Sequence, residues 1–124
     1  MAFIRRIDRS IVVVNSILPL GHFTAMNLLG IVFYRRRAFG QTTPKHLQEV
    51  LNHEAIHTHQ MRELAYIGFY LLYTAEFLWR LFQFKGRWMQ AYRAIRFEQE
   101  AYTHQADRHY LSRRRLFAWH RRRS

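Results

Sequence analysis

The chain predicts a mainly helical α+β fold. β-Branched and aromatic runs are confined to its N-terminal part, at residues 11–14 and 28–34, where they read as strands or a short β-hairpin. Long stretches without glycine or proline follow, and they repeat apolar residues at helical spacing. With 124 residues, 49% of them hydrophobic, the chain can bury one modest core. Residues 1–112 form the expected single domain, and 113–124 an arginine-rich C-terminal tail.

Each element has its own signal. Pro19-Leu20-Gly21 reads as a turn after the first strand. Gly40-Gln41-Thr42-Thr43-Pro44 leads into a helix, with Thr43 as N-cap and Pro44 at the first helical position, where its missing N–H costs nothing. That helix runs from 45 to about 64, with Leu47, Val50, Leu51, Ala55 and Thr58 as its inward stripe. Segment 64–84 is aromatic and hydrophobic and ends near Lys85-Gly86. A last helix is expected from 89 to about 111, giving about three helices in all.

The most specific motif is His53-Glu54-Ala55-Ile56-His57, an HExxH pentapeptide inside the first long helix. Residues four apart share a helix face, so both imidazoles can reach one Zn²⁺. Glu54, at the edge of that face, can take a proton from an activated water without binding the ion. In a chain with eight histidines, chance alone would produce the pattern roughly two times in a hundred, so it needs support from context. There are no cysteines, which leaves histidine and carboxylate as ligands and rules out disulfides. His59 points away from His57, and His46 lies about 10 Å along the axis from His53, so neither is a good third ligand.

Glu98 is a better one. Its neighbours on the helical wheel are Ala91, Ala94, Ile95, Ala101, Tyr102 and Gln105, a small and largely apolar face. A carboxylate buried there needs a cation or a proton. Zinc held by His53 and His57 would answer that need, and a pairing with Arg93 is the plainer alternative. Glu100, between Arg96 and His104, reads as solvated. Asn52 reads as a solvated helix position or as a cap on the site, and His104 and His109 as surface residues. Tyr102, one turn beyond Glu98, can bond to a ligand or an oxyanion, or simply fill the core.

An HExxH helix followed by Phe97-Glu98-Gln99-Glu100-Ala101 resembles the glutamate-zincin metallopeptidases, whose third ligand comes from a second helix. The local string is similar to that of membrane-bound CAAX-processing enzymes, in which the first Glu is the ligand; that position is Glu98 here. Tyr102 stands where those enzymes carry Asp. Leu18-Pro19, Ala25-Met26-Asn27-Leu28, Asn52-His53-Glu54 and 97–102 together also resemble a group of small uncharacterised bacterial HExxH proteins. The resemblance implies a minimal zincin-like core, with residues 23–32 supplying a strand beside the motif helix for an extended substrate. It also implies a zinc-dependent hydrolase acting on a peptide or protein. His53, His57 and Glu98 would then be ligands, Glu54 the general base, and a water would take the fourth position.

Charge supplies a rival reading. The net charge is +12, and arginines cluster at 35–37, 113–115 and 121–123 with Phe117 and Trp119 between the last two groups. Such a chain could be a non-catalytic basic adaptor on anionic membrane surface or nucleic acid, with any metal structural. No nucleic-acid recognition motif accompanies the charge, which favours the membrane. Segment 64–84 is long enough to cross a bilayer, yet Glu76 and Arg80 sit in its middle, spaced to pair at i,i+4. It reads instead as a buried or membrane-contacting helix. The basic start and the apolar 11–20 stretch are interrupted by Asp8 and lack a clear cleavage site, so no signal peptide is expected and the location reads as cytoplasmic, peripheral on the membrane.

Overall fold

A computed structural model describes residues 3–7, 10–18 and 23–121, without the Arg121 side chain. The expected turn at Pro19-Leu20-Gly21, Asp8, Arg122 and Arg123 lie outside the described residues. The fold is α+β and mainly helical, as the sequence predicts.

Among the described residues four strands form one sheet: β1 (Phe3–Ile7), β2 (Ser10–Asn15), β3 (Ala25–Leu28) and β4 (Ile31–Arg35), in the order β1-β2-β4-β3. β1 is antiparallel to β2, β2 parallel to β4, and β3 antiparallel to β4. Alternation along β2 and β4 turns Val12, Val14, Val32 and Tyr34 to one face, where they are buried against Leu51. The expected continuous strand at 28–34 is instead cut by a turn. Leu29 and Gly30 both have positive φ, +54° and +93°, the pairing a two-residue hairpin requires, and glycine adopts it without strain. Asn27 Oδ1 accepts the Gly30 N–H at 2.8 Å and helps close the turn.

Among the described residues the sheet is followed by seven helices rather than about three: α1 (Arg36–Gln41), α2 (Pro44–Glu63), α3 (Ile67–Gln83), α4 (Trp88–Ala94), α5 (Arg96–His104), α6 (Tyr110–Arg113) and α7 (Ala118–Arg121). The start of α2 follows the sequence signal: Thr43 Oγ1 accepts the His46 N–H at 3.1 Å, and Pro44 stands at the first helical position. The main correction concerns the last long helix. Ile95 is extended, with φ −62° and ψ 133°, and splits the expected 89–111 helix into α4 and α5. The Glu76 carboxylate, which pairs with Arg80 as expected, also accepts the Arg96 N–H at 3.2 Å. It thereby satisfies a donor at the new helix start, while the Ile95 side chain is buried among Met61, Phe69, Phe97 and Trp119. Burial of side chains of this size stabilises by roughly 1.5–3 kcal/mol each.

Asn52 ends α5. Its Nδ2 donates to the carbonyls of His104, Gln105 and Asp107 at 3.1, 2.8 and 2.9 Å, so it is a clip between α2 and the loop after α5, not a solvated position. Beyond residue 112 two side chains reach the core: the Arg114 side chain is buried, and Trp119 packs on Phe97. No helix among the described residues is long and apolar enough to cross a membrane.

Candidate metal centre

α2 and α5 lie against each other and bring three ligand types to one point. His53 Nε2 and His57 Nε2 stand 3.2 and 3.1 Å from the same oxygen, Glu98 Oε1. All three side chains are buried, and their ligand atoms lie within 4.8 Å of one another. A tetrahedral ion with bonds near 2.1 Å spaces its ligand atoms about 3.4 Å apart, so the cluster is the right size for zinc. Among the described residues no lysine or arginine ion-pairs with Glu98; Arg93, the plainer partner, lies over the Tyr102 ring at 4.1 Å.

The imidazoles are oriented from behind. His57 Nδ1 meets Gln60 Oε1 at 2.7 Å, and His53 Nδ1 meets Gln105 Oε1 at 2.8 Å. The Gln60 amide cannot be the other way round, because its Nε2 donates to Glu100 Oε1 at 2.9 Å and to the Phe97 carbonyl at 3.0 Å, both acceptors only. The amide oxygen therefore takes a hydrogen from His57 Nδ1, so Nε2, facing Glu98, is the nitrogen free to give up its proton to an ion. This is the orientation a metal ligand needs. On the far side of the carboxylate, the Tyr73 hydroxyl donates to Glu98 Oε2 at 2.6 Å and fixes the plane of the group.

The electrostatics fit a cation. Burial disfavours charge on His57, but the adjacent Glu98 carboxylate outweighs this and raises the imidazole to about 9. Burial likewise raises Glu98, yet attraction and hydrogen bonds from the two histidines hold it well below the usual carboxylate range. Glu98 thus keeps its negative charge beside the imidazoles, and a proton on His57 balances it in the place a bound cation would take. Glu54 is different. Burial pushes its carboxyl up; His57 and His53 pull it down, and Glu98 pushes it up again, for a net rise. Its carboxylate takes no hydrogen bond from a described residue and lines a groove of about 390 Å³ beside the histidines.

The groove runs between β3 and the inner side of α3. Its walls are Phe23, Met26 and Leu28 on one side and Phe69, Tyr70 and Tyr73 on the other, with Tyr92 at one end. β3 is the outer strand of the sheet, so one edge of its backbone has no strand partner among the described residues, although the Tyr70 hydroxyl donates to the Asn27 carbonyl at 3.4 Å. Asn27 ties this strand to the motif helix through Nδ2, which donates to the Glu54 carbonyl and to Thr58 Oγ1, both at 2.7 Å.

The sequence-derived residues are therefore distributed as follows. His53, His57 and Glu98 form the cluster, and Glu54 stands beside it at the groove. Tyr102 packs its ring against His53 at 4.5 Å and shares a 3.3 Å hydroxyl contact with Tyr92. His46 is exposed, and the His104 ring stacks on Tyr110; neither joins the cluster. Glu100 is not solvated: it is buried with Arg114, Gln60 and Tyr110. Sequence reading missed Tyr73, Gln60, Gln105 as an imidazole partner, and Asn27. Gln60 and Gln105 had a usable signal, because each sits on the same helix face as a ligand residue; Tyr73, in a segment of uniform aromatic character, had none.

Comparison of the chain with protein-family models, with curated proteins and with solved structures finds no match in any of the three.

Proposed function

We propose that the chain is a zinc-dependent hydrolase of amide bonds, with peptide as its substrate class. One observation carries the reading. Two imidazoles have their Nδ1 atoms tied to amide oxygens, so both Nε2 atoms converge on a carboxylate that pairs with no lysine or arginine among the described residues. His53, His57 and Glu98 would hold the ion. When bound there, zinc supplies Lewis acidity, polarising a carbonyl and acidifying a water.

The chain's own residues account for the rest. Glu54 is shielded from solvent, its carboxylate takes no hydrogen bond from a described residue, and its proton affinity is raised. Those properties suit a group that takes a proton from the attacking water and returns it to the leaving nitrogen. Tyr73 and the two glutamines keep the ligands in place. The outer edge of β3 could pair with an extended peptide if the Tyr70 hydroxyl, which donates to the Asn27 carbonyl at 3.4 Å, gave way, and Asn27 holds that edge beside Glu54. Aromatic walls favour apolar substrate side chains.

Elemental analysis and hydrolysis of a mixed peptide pool test the reading together. Wild type should carry about one zinc per chain and cleave. Glu54→Gln should keep its zinc and lose at least about a hundredfold in rate. Zinc with no hydrolysis in either protein would favour the adaptor with a structural metal. No zinc after reconstitution would overturn the metal site itself.

A further inference from the structure

α3 has two unlike faces. Phe69, Tyr70, Tyr73 and Phe77 point inward, and Glu76 pairs there with Arg80 and Arg96. On the other side Ile67, Leu71, Leu78 and Phe82 stand 72%, 67%, 57% and 77% exposed. At roughly 100° per residue these four fall within about 60° of one another on the wheel, flanked by exposed Leu72, Ala75 and Trp79. The polar exposed residues of the helix, Thr74 and Gln83, fall at the borders of this arc, and no charged side chain lies within it. The result is a continuous apolar stripe about 25 Å long. Monomeric proteins seldom expose so much contiguous apolar surface without a partner for it.

The ends of the stripe say what that partner is. Arg62 is exposed just before it, and Lys85 and Arg87 are exposed just after it. None of the three has a carboxylate partner among the described residues. Between residues 64 and 95 the one acidic side chain is Glu76, which is turned inward. Exposed Trp79 and Trp88 add the amphipathic rings favoured at headgroup depth. A second copy is a poor occupant, because it would bring another +12 chain and the same cations against these. We infer that the outer face of α3 docks in the headgroup layer of an anionic bilayer, lying in its plane without crossing it.

Apolar burial and attraction of cations to acidic lipid act together in such a helix. Because the inner face of α3 walls the groove, docking would hold the groove close to the membrane surface. The inference does not rest on the hydrolase reading and can fail without it.

Co-sedimentation of the full chain with vesicles tests it, using pure phosphatidylcholine and an equal mixture of phosphatidylcholine and phosphatidylglycerol. Wild type should bind the mixed vesicles at least about tenfold more tightly than the neutral ones. Leu71→Ser with Phe82→Ser should lose at least about tenfold in that binding. Both positions are exposed, so the variant's thermal transition and metal content should match wild type and show that it folds. Lys85→Glu with Arg87→Glu should remove most of the preference for acidic lipid. Equal binding by the serine variant would assign the attraction to the arginine clusters and overturn the docking face. A dimer in lipid-free buffer that the serine variant dissociates would give the face to a second copy, and absence of vesicle binding would likewise overturn the inference.

Discussion

Two buried glutamates on α5, two residues apart, show how differently a carboxylate can be neutralised. Glu98 is 3% exposed and Glu100 1%. Glu100 is surrounded by permanent donors. Arg114 reaches it through Nε and Nη2 at 2.6 and 3.1 Å, Tyr110 donates at 2.6 Å and Gln60 at 2.9 Å. Arg114 also reaches Glu63 at 2.8 Å, so a buried guanidinium lies between two carboxylates. Burial alone would raise Glu100, but these bonds bring it below its ordinary range. Glu98 has no such permanent cation among the described residues. It faces two imidazoles whose charge depends on a proton, and it opens toward a groove. A carboxylate satisfied by arginine is complete as it stands, whereas one facing imidazole nitrogens that can give up a proton suits an exchangeable cation.

The largest test of this contrast exchanges the two glutamates' fates. Glu98→Ala and His57→Ala should each weaken zinc binding well beyond the ~10–100-fold that an outer partner costs, whereas Glu100→Ala should retain near-stoichiometric metal. Competition with a fluorescent chelator reads the difference, and zinc loss in Glu100→Ala alone would reverse the assignment.

Stability should follow the opposite order. Arg114→Met removes the cation shared by Glu63 and Glu100 and leaves buried charge uncompensated, at a cost of about 3–5 kcal/mol in urea unfolding. A loss below ~1 kcal/mol would mean that water already reaches this cluster.

Gln60 touches both centres, accepting from His57 and donating to Glu100. Gln60→Ala should therefore weaken zinc about 10–100-fold and also lower the stability of the metal-free protein by about 1–3 kcal/mol. Either effect without the other would show that the amide serves a single centre.

The smallest expected change is Asn52→Ala, at about 1–2 kcal/mol. It leaves the carbonyls after α5 without their shared donor, and hydrogen exchange should rise first at 104–107.

What could be read from the sequence divides along range of interaction. α2 was legible because Thr43, Pro44 and the apolar stripe act within a few residues. Glu98 stood out because an apolar helix face made its charge a problem whatever lay opposite. Glu100 was misread because its neighbours in sequence, Arg96 and His104, are not its partners; Arg114 is fourteen residues away and Gln60 forty. The break at Ile95 has the same origin: the carboxylate that meets Arg96 comes from α3, twenty residues earlier. Local propensity favoured one continuous helix, and tertiary capping with burial of Ile95 overrode it. The Leu29-Gly30 turn did carry a local mark in its glycine, which the surrounding β-branched residues obscured.

On the proposed peptidase reading, the short outer edge of β3 limits what can enter the groove by shape. It spans four residues, anchored through Asn27 to the helix beneath, so its spacing from Glu54 is set. A helix or a closed hairpin has already paired its own N–H and C=O groups and has nothing to offer such an edge. A chain tip, a loop or a newly unfolded segment does. Selection at this groove would then depend on the conformation of the incoming chain before its sequence, and the protein would distinguish loose polypeptide from finished fold.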